Sequence, residues 1–358
     1  MPAHNLIHGG DVYTAMENGL ERPLDFSANI GPLGLPPAVA EAARRAVGSC
    51  DTYPDPLCRR LTAALAEAEG VPADWIACGD GAAELLFRFA GALRPKKALL
   101  LAPGFAEYEQ ALAAAGCEIV FHSLRREDGF LPTSALLEAI GPDIDAVMLC
   151  NPHNPTGALM SPDFCRAAAD RCRETGTWLL MDECFIDLTD DPARHTMKPL
   201  LEEYPRLFLL KAFTKLYAMP GLRLGYGLCA DGGLLERMTA CGQPWSVSVP
   251  AQAAGLQALK EQDYVQRTRA LVREERAFLT AGLRKLPLEV YEGAANFIFF
   301  RAPGLTDLHR RTESRGVLIR SCGNYRGLTE EYYRVAVRTR GENERLLAAL
   351  QAALPLDT

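Results

Sequence analysis

The sequence lacks the features that would direct a chain to a membrane or a nucleic acid. No apolar run approaches the roughly 20 residues of a membrane-spanning helix. The N-terminus has no charged-then-apolar stretch of the kind that forms a secretion signal. Positive charge is not in excess, because 38 Lys and Arg face 45 Asp and Glu and leave a net charge of -7. An acidic chain of this kind is not expected to bind nucleic acid or an anionic membrane.

The eleven cysteines lack the spacing of a metal site or a disulfide framework. The sequence contains no C-x-x-C pair, and cysteines such as Cys78 and Cys150 stand alone within apolar segments. This distribution predicts buried, reduced thiols in a cytoplasmic protein that binds no metal.

The chain is long enough for a large core and two domains. It has 358 residues, of which 48% are hydrophobic, and a mean hydropathy of -0.04. It shows no internal repeat and no low-complexity segment. We expect residues 1–45 to form an N-terminal arm and part of a small domain, residues 46–260 a large domain, and residues 261–358 the rest of the small domain.

Apolar strands alternate with amphipathic helices through the middle of the chain. The strand candidates are residues 75–78, 98–102, 119–121, 146–150, 178–181, 207–210 and 224–228. Helix patterns cover residues 37–47, 57–69, 82–93, 107–115 and 162–175. The alternation predicts an α/β fold with a mostly parallel sheet covered on both faces, a three-layer α/β/α arrangement.

A smaller α+β unit is predicted after this region. A long charged helix over residues 263–286 leads into it. Its strands would be residues 296–300, 317–320 and 332–337, and a helix over 342–354 would close it.

The chemistry is concentrated in residues 211–226. A buried strand over 207–210 leads to a loop with Thr214 and Lys215, and Arg223 precedes the next strand. Strand ends are where α/β proteins bind ligands. A lysine among apolar neighbours loses its proton more easily and can act as an amine nucleophile, while Thr214 and Arg223 suit a phosphate. A ligand with both an aldehyde for the lysine and a phosphate for Thr214 and Arg223 is pyridoxal phosphate (PLP). The alternative interpretation is that Lys215 is a solvated surface lysine and that Arg223 forms an ordinary ion pair.

Three segments resemble motifs of fold-type I PLP enzymes, the aspartate-aminotransferase superfamily. Residues 214–225 resemble the Schiff-base lysine motif of that superfamily, which consists of Thr-Lys, a short spacer and Gly-Leu-Arg-x-Gly. Asp-Glu-Cys-Phe in residues 182–185 resembles Asp-Glu-Ala-Phe/Tyr, and Asn-Pro-His-Asn-Pro-Thr-Gly in residues 151–157 resembles Asn-Pro-x-Asn-Pro-Thr-Gly. The resemblance covers essentially the whole chain and implies an aspartate-aminotransferase-like fold with PLP as cofactor.

The resemblance also implies roles for single residues around the cofactor ring. Lys215 would hold the aldehyde, and Asp182 would pair with the pyridine nitrogen so that the ring can act as an electron sink. Asn154 would hydrogen-bond the phenolic oxygen, and Phe105 would stack on the ring. The competing interpretations are a loop cap for Asp182, a turn for Asn154 and a core aromatic for Phe105.

The cofactor phosphate is expected at the start of the helix over residues 82–93. Backbone N–H groups at a helix N-terminus bind phosphate, and the resemblance implies Gly81, Ala82 and Ala83 as donors. Ala82, Ala83 and Ala212 lack hydroxyls that relatives often carry, so PLP is expected to bind less tightly. Tyr53 matches a tyrosine that in relatives reaches the neighbouring subunit's cofactor, which implies a homodimer with a shared active site.

Two subfamilies resemble the chain most. One is L-threonine-O-3-phosphate decarboxylase, which makes aminopropanol phosphate for cobalamin, and the other is histidinol-phosphate aminotransferase. His8-Gly9-Gly10, the loop over residues 25–34 and Phe185 resemble the decarboxylase more. We therefore predict decarboxylation of threonine phosphate and keep the aminotransferase as the alternative. A PLP-binding sensor without turnover is disfavoured because the sequence has no helix-turn-helix or basic stretch.

The substrate residues follow from the same resemblance. Arg334 would grip the substrate carboxylate and Arg320 its phosphate, since a guanidinium suits either anion. His8, Asn29 and Gly31 are expected to complete the substrate site, although Gly31 replaces the asparagine of the decarboxylases. Arg338 is a further candidate, and ion pairing with local glutamates is the alternative for all three arginines. Threonine phosphate and serine phosphate differ by one methyl group, which the sequence does not distinguish.

Overall fold

The structure, a computed structural model, describes residues 8–355. Its helices are α1 (Val12–Glu17), α2 (Pro37–Val47), α3 (Arg59–Glu69), α4 (Gly81–Leu93), α5 (Ala106–Ala114), α6 (Ser134–Ala139), α7 (Pro162–Thr175), α8 (Pro192–His195), α9 (Phe213–Leu216), α10 (Gly232–Cys241), α11 (Val249–Ala258), α12 (Gln262–Leu283), α13 (Leu308–Glu313) and α14 (Arg340–Ala353). None of these is long and apolar enough to cross a membrane.

The strands form three sheets. They are β1 (Leu24–Asp25), β2 (Ile76–Gly79), β3 (Lys97–Ala102), β4 (Glu118–Ser123), β5 (Ala146–Cys150), β6 (Trp178–Asp182), β7 (Leu207–Ala212), β8 (Gly225–Leu228), β9 (Glu289–Val290), β10 (Phe297–Arg301), β11 (Val317–Leu318), β12 (Arg320–Ser321) and β13 (Tyr332–Ala336). The largest sheet has the order β2-β8-β7-β6-β5-β3-β4, and only β8 runs against its neighbours. The mostly parallel sheet that the sequence predicted is therefore confirmed.

Helices cover both faces of the large sheet. Along β5, Val147 and Leu149 join the apolar cluster that contains α7 and α11, whereas Ala146 and Met148 join the cluster that contains α4 and α5. Successive strand residues point to opposite faces, so a strand buried on both sides is apolar throughout. This explains the continuous apolar runs in the sequence and completes the three-layer α/β/α arrangement.

The C-terminal region carries a smaller antiparallel sheet, β12-β13-β10-β9, packed against α12 and α14. The single strand predicted over residues 317–320 is wrong, because β11 pairs with β1 and β12 pairs with β13. The parallel pairing of β1 with β11 brings the N-terminal loop after residue 25 against the C-terminal unit. Phe26 is fully buried there, in the same cluster as α14.

The structure also corrects the local prediction around Lys215. The predicted loop is instead the short helix α9, which starts directly after β7. Strand β7 extends to Ala212 because β8 pairs with it as far as Gly225. A side chain at Gly225 would lie 2.5 Å from the backbone nitrogen of Ala82, so a glycine is required where β8 passes the start of α4.

Candidate active site

A cavity of about 280 Å³ lies at the carboxyl ends of β5, β6 and β7, beside the start of α4. The carboxyl ends of parallel strands meet at one edge of a sheet, so motifs that are far apart in sequence converge there. Most of the predicted site residues line this cavity, namely His8, Asn29, Ala82, Ala83, Phe105, Asn154, Asp182, Thr214, Lys215, Arg223 and Arg334.

Two lysines four residues apart, Lys211 in β7 and Lys215 in α9, have opposite electrostatic surroundings. Lys215 faces the cavity, where burial lowers its pKa and the positive charges of Arg334 and Arg223 act in the same direction. Burial would also lower the pKa of Lys211, but its Nζ lies 3.1 Å from Asp187 and 3.4 Å from Glu69, and these carboxylates raise it. Lys215 is therefore the lysine that can become a neutral amine, while Lys211 stays charged.

Asp182, the last residue of β6, is a buried carboxylate held by two donors. Its Oδ2 accepts from the Tyr108 hydroxyl at 2.6 Å, and its Oδ1 accepts from the Cys184 N–H at 2.8 Å. Burial raises the pKa of Asp182, and the hydrogen bonds from Cys184 and Tyr108 oppose that rise. A carboxylate in this position suits a protonated ring nitrogen as partner, since burial strengthens their attraction.

The sequence analysis did not identify Tyr108. The sequence feature that could have identified Tyr108 is its position three residues after Phe105, the residue that caps the start of α5. Residues with this spacing lie on the same side of a helix. The Phe105 and Tyr108 rings meet edge to face with centroids 5.5 Å apart. Phe105, the ring expected to stack on the cofactor, thus packs against Tyr108, which donates a hydrogen bond to Asp182.

Arg334 on β13 joins three separate segments. Its Nη1 donates to Asn154 Oδ1, and its Nη2 donates to the Ser27 carbonyl at 3.2 Å. The side chain is buried, and its Nε has no hydrogen-bond partner among the described residues. A buried guanidinium with a remaining donor beside a cavity suits an anionic group.

The start of α4 forms a cradle beside Arg223. Gly81 has φ +78°, a conformation that favours glycine, and a Cβ there would lie 2.3 Å from Arg223 Nη2. The first N–H groups of a helix have no partner within it, and Arg223 adds a positive charge beside them. Asn29, which is buried at the cavity wall, has an Oδ1 without a partner in the described chain. Together with Lys215 and Asp182, these groups fit PLP.

An ion pair supports this cradle from behind. Glu84 Oε2 accepts from the Asp80 N–H at 2.5 Å, and Glu84 Oε1 lies 2.8 Å from Arg88. Arg88 Nη2 also donates a hydrogen bond to the Ser246 hydroxyl at 3.0 Å. The turn before α4 is therefore held by a carboxylate from the helix itself.

Arg320 and Gly31 do not line the cavity. Arg320 is buried on β12, opposite Arg334 in the strand register, with its Nη2 donating to Asn324 at 2.8 Å. The Gly31 N–H donates to the Lys215 carbonyl at 2.8 Å, and a Cβ on Gly31 would come as close as 2.8 Å to that oxygen. This backbone leaves no room for an asparagine, and Gly31 contacts α9 rather than the cavity.

Tyr53 and Arg338 also lie outside the cavity. The Tyr53 side chain is 78% exposed and stacks on Trp245 with ring centroids 4.6 Å apart. Arg338 pairs with Glu342 and donates to the Asp25 carbonyl, so the ion-pair interpretation describes it. Within residues 8–355 no group of three His, Cys, Asp or Glu side chains could hold a metal ion.

Comparisons with known proteins agree with this geometry. Residues 21–350 match the model of the family described as aminotransferase class I and II. The chain is 44% identical to threonine-phosphate decarboxylase of Salmonella typhimurium, over 99% of this chain and 98% of that protein. It is 36% identical to histidinol-phosphate aminotransferase of Symbiobacterium thermophilum, over 94% of this chain and 92% of that protein.

A solved structure shares the fold. Histidinol-phosphate aminotransferase from Sinorhizobium meliloti in complex with pyridoxal-5'-phosphate superposes with a TM-score of 0.85 at 24% identity, over 95% of this chain and 94% of that one. The predicted fold class is thereby confirmed. The chain belongs to the aminotransferase class I and II family.

Proposed function

We propose that the protein is a PLP-dependent decarboxylase that converts L-threonine O-3-phosphate to (R)-1-aminopropan-2-yl phosphate and CO₂, a step of cobalamin biosynthesis. The observation that carries the choice of reaction is the 44% identity to a threonine-phosphate decarboxylase over nearly the whole chain. The cavity supports it, because His8 and Asn29 from the decarboxylase-like N-terminal segments line it together with Lys215.

The residues of the cavity divide the work between cofactor and substrate. Bound PLP supplies an electron sink for the pair of electrons left when a bond to the substrate Cα breaks. Lys215 provides the amine that holds the aldehyde, and Asp182 holds a proton on the ring nitrogen. The start of α4, with Thr214 and Arg223, binds the cofactor phosphate, and Asn154 donates to the ring oxygen.

Orientation of the substrate decides which bond breaks. With PLP bound, the cofactor would supply the electron sink, and the protein would select the bond by how it holds the substrate: the bond to the carboxylate for decarboxylation, or the bond to hydrogen for transamination. We assign the carboxylate to Arg334, whose guanidinium is fixed by Asn154 and Ser27. Arg320, opposite Arg334 on the neighbouring strand but outside the cavity wall, is assigned to the substrate phosphate on the family resemblance alone.

The remaining features are proposals that rest on the sequence. We propose a cytoplasmic homodimer in which Tyr53, exposed on its own protomer, reaches the partner's cofactor phosphate. The exposed ring is supported by its stacking on Trp245. The domain division at residues 45 and 260 also stays a prediction.

Two parallel incubations test the reaction. The PLP-loaded enzyme is supplied with threonine phosphate alone, and separately with histidinol phosphate plus 2-oxoglutarate. Decarboxylation requires CO₂ and aminopropanol phosphate from the first mixture without a keto acid. Glutamate from the second mixture, with threonine phosphate left intact, would establish the aminotransferase instead. The Lys215→Ala protein is the control and should lose turnover in either case.

A further inference from the structure

The residues assigned above leave one carboxylate at the cavity without a role. Glu107, in the first turn of α5, lines the cavity with a side chain that is only 12% exposed. Its Oε1 lies 2.6 Å from His8 Nε2, and its Oε2 is buried without a hydrogen-bond partner in the described chain. A buried carboxylate is costly unless it is paired, so its pairing with His8 calls for a reason.

His8 belongs to a short segment that is fitted closely to the cavity wall. The Gly10 N–H donates to the Ser27 hydroxyl at 2.7 Å. A Cβ on Gly9 would lie 2.1 Å from the Ser27 carbonyl oxygen, so the backbone approaches too closely for any side chain. The same carbonyl accepts from Arg334. We call residues 8–10 the N-terminal strap.

Glu107 cannot itself bind the anionic groups of the substrate, since like charges repel. It can fix a neighbour that does. With Nε2 engaged by Glu107, the His8 ring is held in one orientation at the cavity, tilted by 52° to the Phe105 ring at a centroid distance of 6.1 Å. An imidazole has a second ring nitrogen that can form a hydrogen bond with a ligand.

We propose that Glu107 is a positioning residue for substrate recognition, acting through His8. Its carboxylate anchors the N-terminal strap over the cavity and orients the His8 ring toward the phosphate of the substrate. The proposal rests on the proposed function for the identity of the phosphorylated substrate, but the anchoring itself does not depend on which reaction is catalysed.

The first test is a double-mutant cycle on the PLP-loaded enzyme with threonine phosphate. Glu107→Gln should raise KM about 10-fold, the effect of one lost charge-assisted hydrogen bond, with kcat within about 2-fold. His8→Ala should raise KM at least as much, and adding Glu107→Gln to it should change KM little further, because the two residues act as a unit. Equal effects of Glu107→Gln with and without His8 would overturn the proposal, as would a fall in kcat at unchanged KM.

A matched control lies two residues further along the same helix. Glu109 is also in the first turn of α5 and also contacts a basic side chain, Arg326 at 3.1 Å, but it does not line this cavity. Glu109→Gln should leave KM for threonine phosphate unchanged. A KM rise equal to that of Glu107→Gln would mean that general loss of negative charge, and not the His8 contact, is responsible.

The second test needs no turnover and separates the proposal from the assigned reaction. Hydrogen–deuterium exchange of the PLP-loaded enzyme is followed in peptides that cover residues 8–12. Glu107→Gln should speed exchange at Gly10 about 10-fold, while Glu109→Gln should not. Unchanged exchange in Glu107→Gln would refute the anchoring. Faster exchange in Glu107→Gln would support the anchoring by Glu107. If the unaltered enzyme nevertheless failed to decarboxylate threonine phosphate, the proposed function would be rejected and the anchoring kept.

Discussion

Replacing Glu69 by Gln tests the charge network around Lys211. Glu69 ends α3, and its carboxylate accepts from Lys198 at 2.8 Å and from Tyr226, while Lys211 Nζ lies 3.4 Å away. Glu69→Gln keeps the shape of the side chain and removes its charge. Lys211 would then be left with Asp187 at 3.1 Å as its nearest anion.

The magnitude follows from the pKa of Glu69. Burial acts to raise it, but Lys211, Lys198 and Tyr226 outweigh burial and lower the pKa from 4.5 to about 2. Lowering the Glu69 pKa by about 2.5 corresponds to about 3 kcal/mol of folding free energy, at about 1.36 kcal/mol for each pH unit. A lowered carboxyl pKa stabilises the fold above pH 4.5, and this stabilisation is lost as the pH falls toward 2. The contribution should be about 3 kcal/mol at pH 7 and about 1.4 kcal/mol at pH 3.

Urea unfolding at pH 7 and pH 3, at one protein concentration, measures both values. The matched control is Glu67→Gln, which removes an exposed carboxylate from the same helix and should change the free energy of unfolding by less than about 0.5 kcal/mol. Equal destabilisation by Glu69→Gln at the two pH values would refute the reasoning, because the loss would then not come from ionisation. Equal losses for Glu67→Gln and Glu69→Gln would refute it too.

Three further outcomes are expected. Tyr108→Phe removes the hydroxyl donor at 2.6 Å from Asp182 and should lower kcat about 10-fold or more. Because that hydrogen bond lowers the pKa of Asp182, its loss should move the acid limb of the pH profile of kcat to higher pH. An unchanged pH profile would contradict this role of Tyr108. Glu84→Gln loosens the Asp80 turn and should weaken PLP binding about 10-fold in a fluorescence titration, with kcat at saturating PLP unaltered. Burial lowers the pKa of His153 from 6.5 to about 4, so only the unfolded chain takes up its proton between these values. His153 should therefore cost the fold about 3 kcal/mol as the pH falls from 6.5 to 4, and His153→Gln should flatten unfolding free energy over that range.

The sequence alone determined the elements that carry the site. Runs buried on both faces, such as β5 and β6, show as continuous apolar stretches, and α2 and α7 have the bounds that their patterns predicted. Helix α11 was missed because the residues it buries are alanines and a glycine, which do not stand out as an apolar stripe from the rest of the helix. That Lys215, Asp182 and Asn154 lie together at one edge of the sheet could be predicted because each ends or follows such an apolar strand.

Tertiary structure decided how these residues are supported. The Glu107–His8, Tyr108–Asp182 and Lys211–Glu69 contacts each join segments that are at least 74 residues apart in the sequence. No local pattern records such a pairing. The pKa values of buried groups depend on the charges and donors that packing brings within a few ångströms, and only the folded chain brings them there.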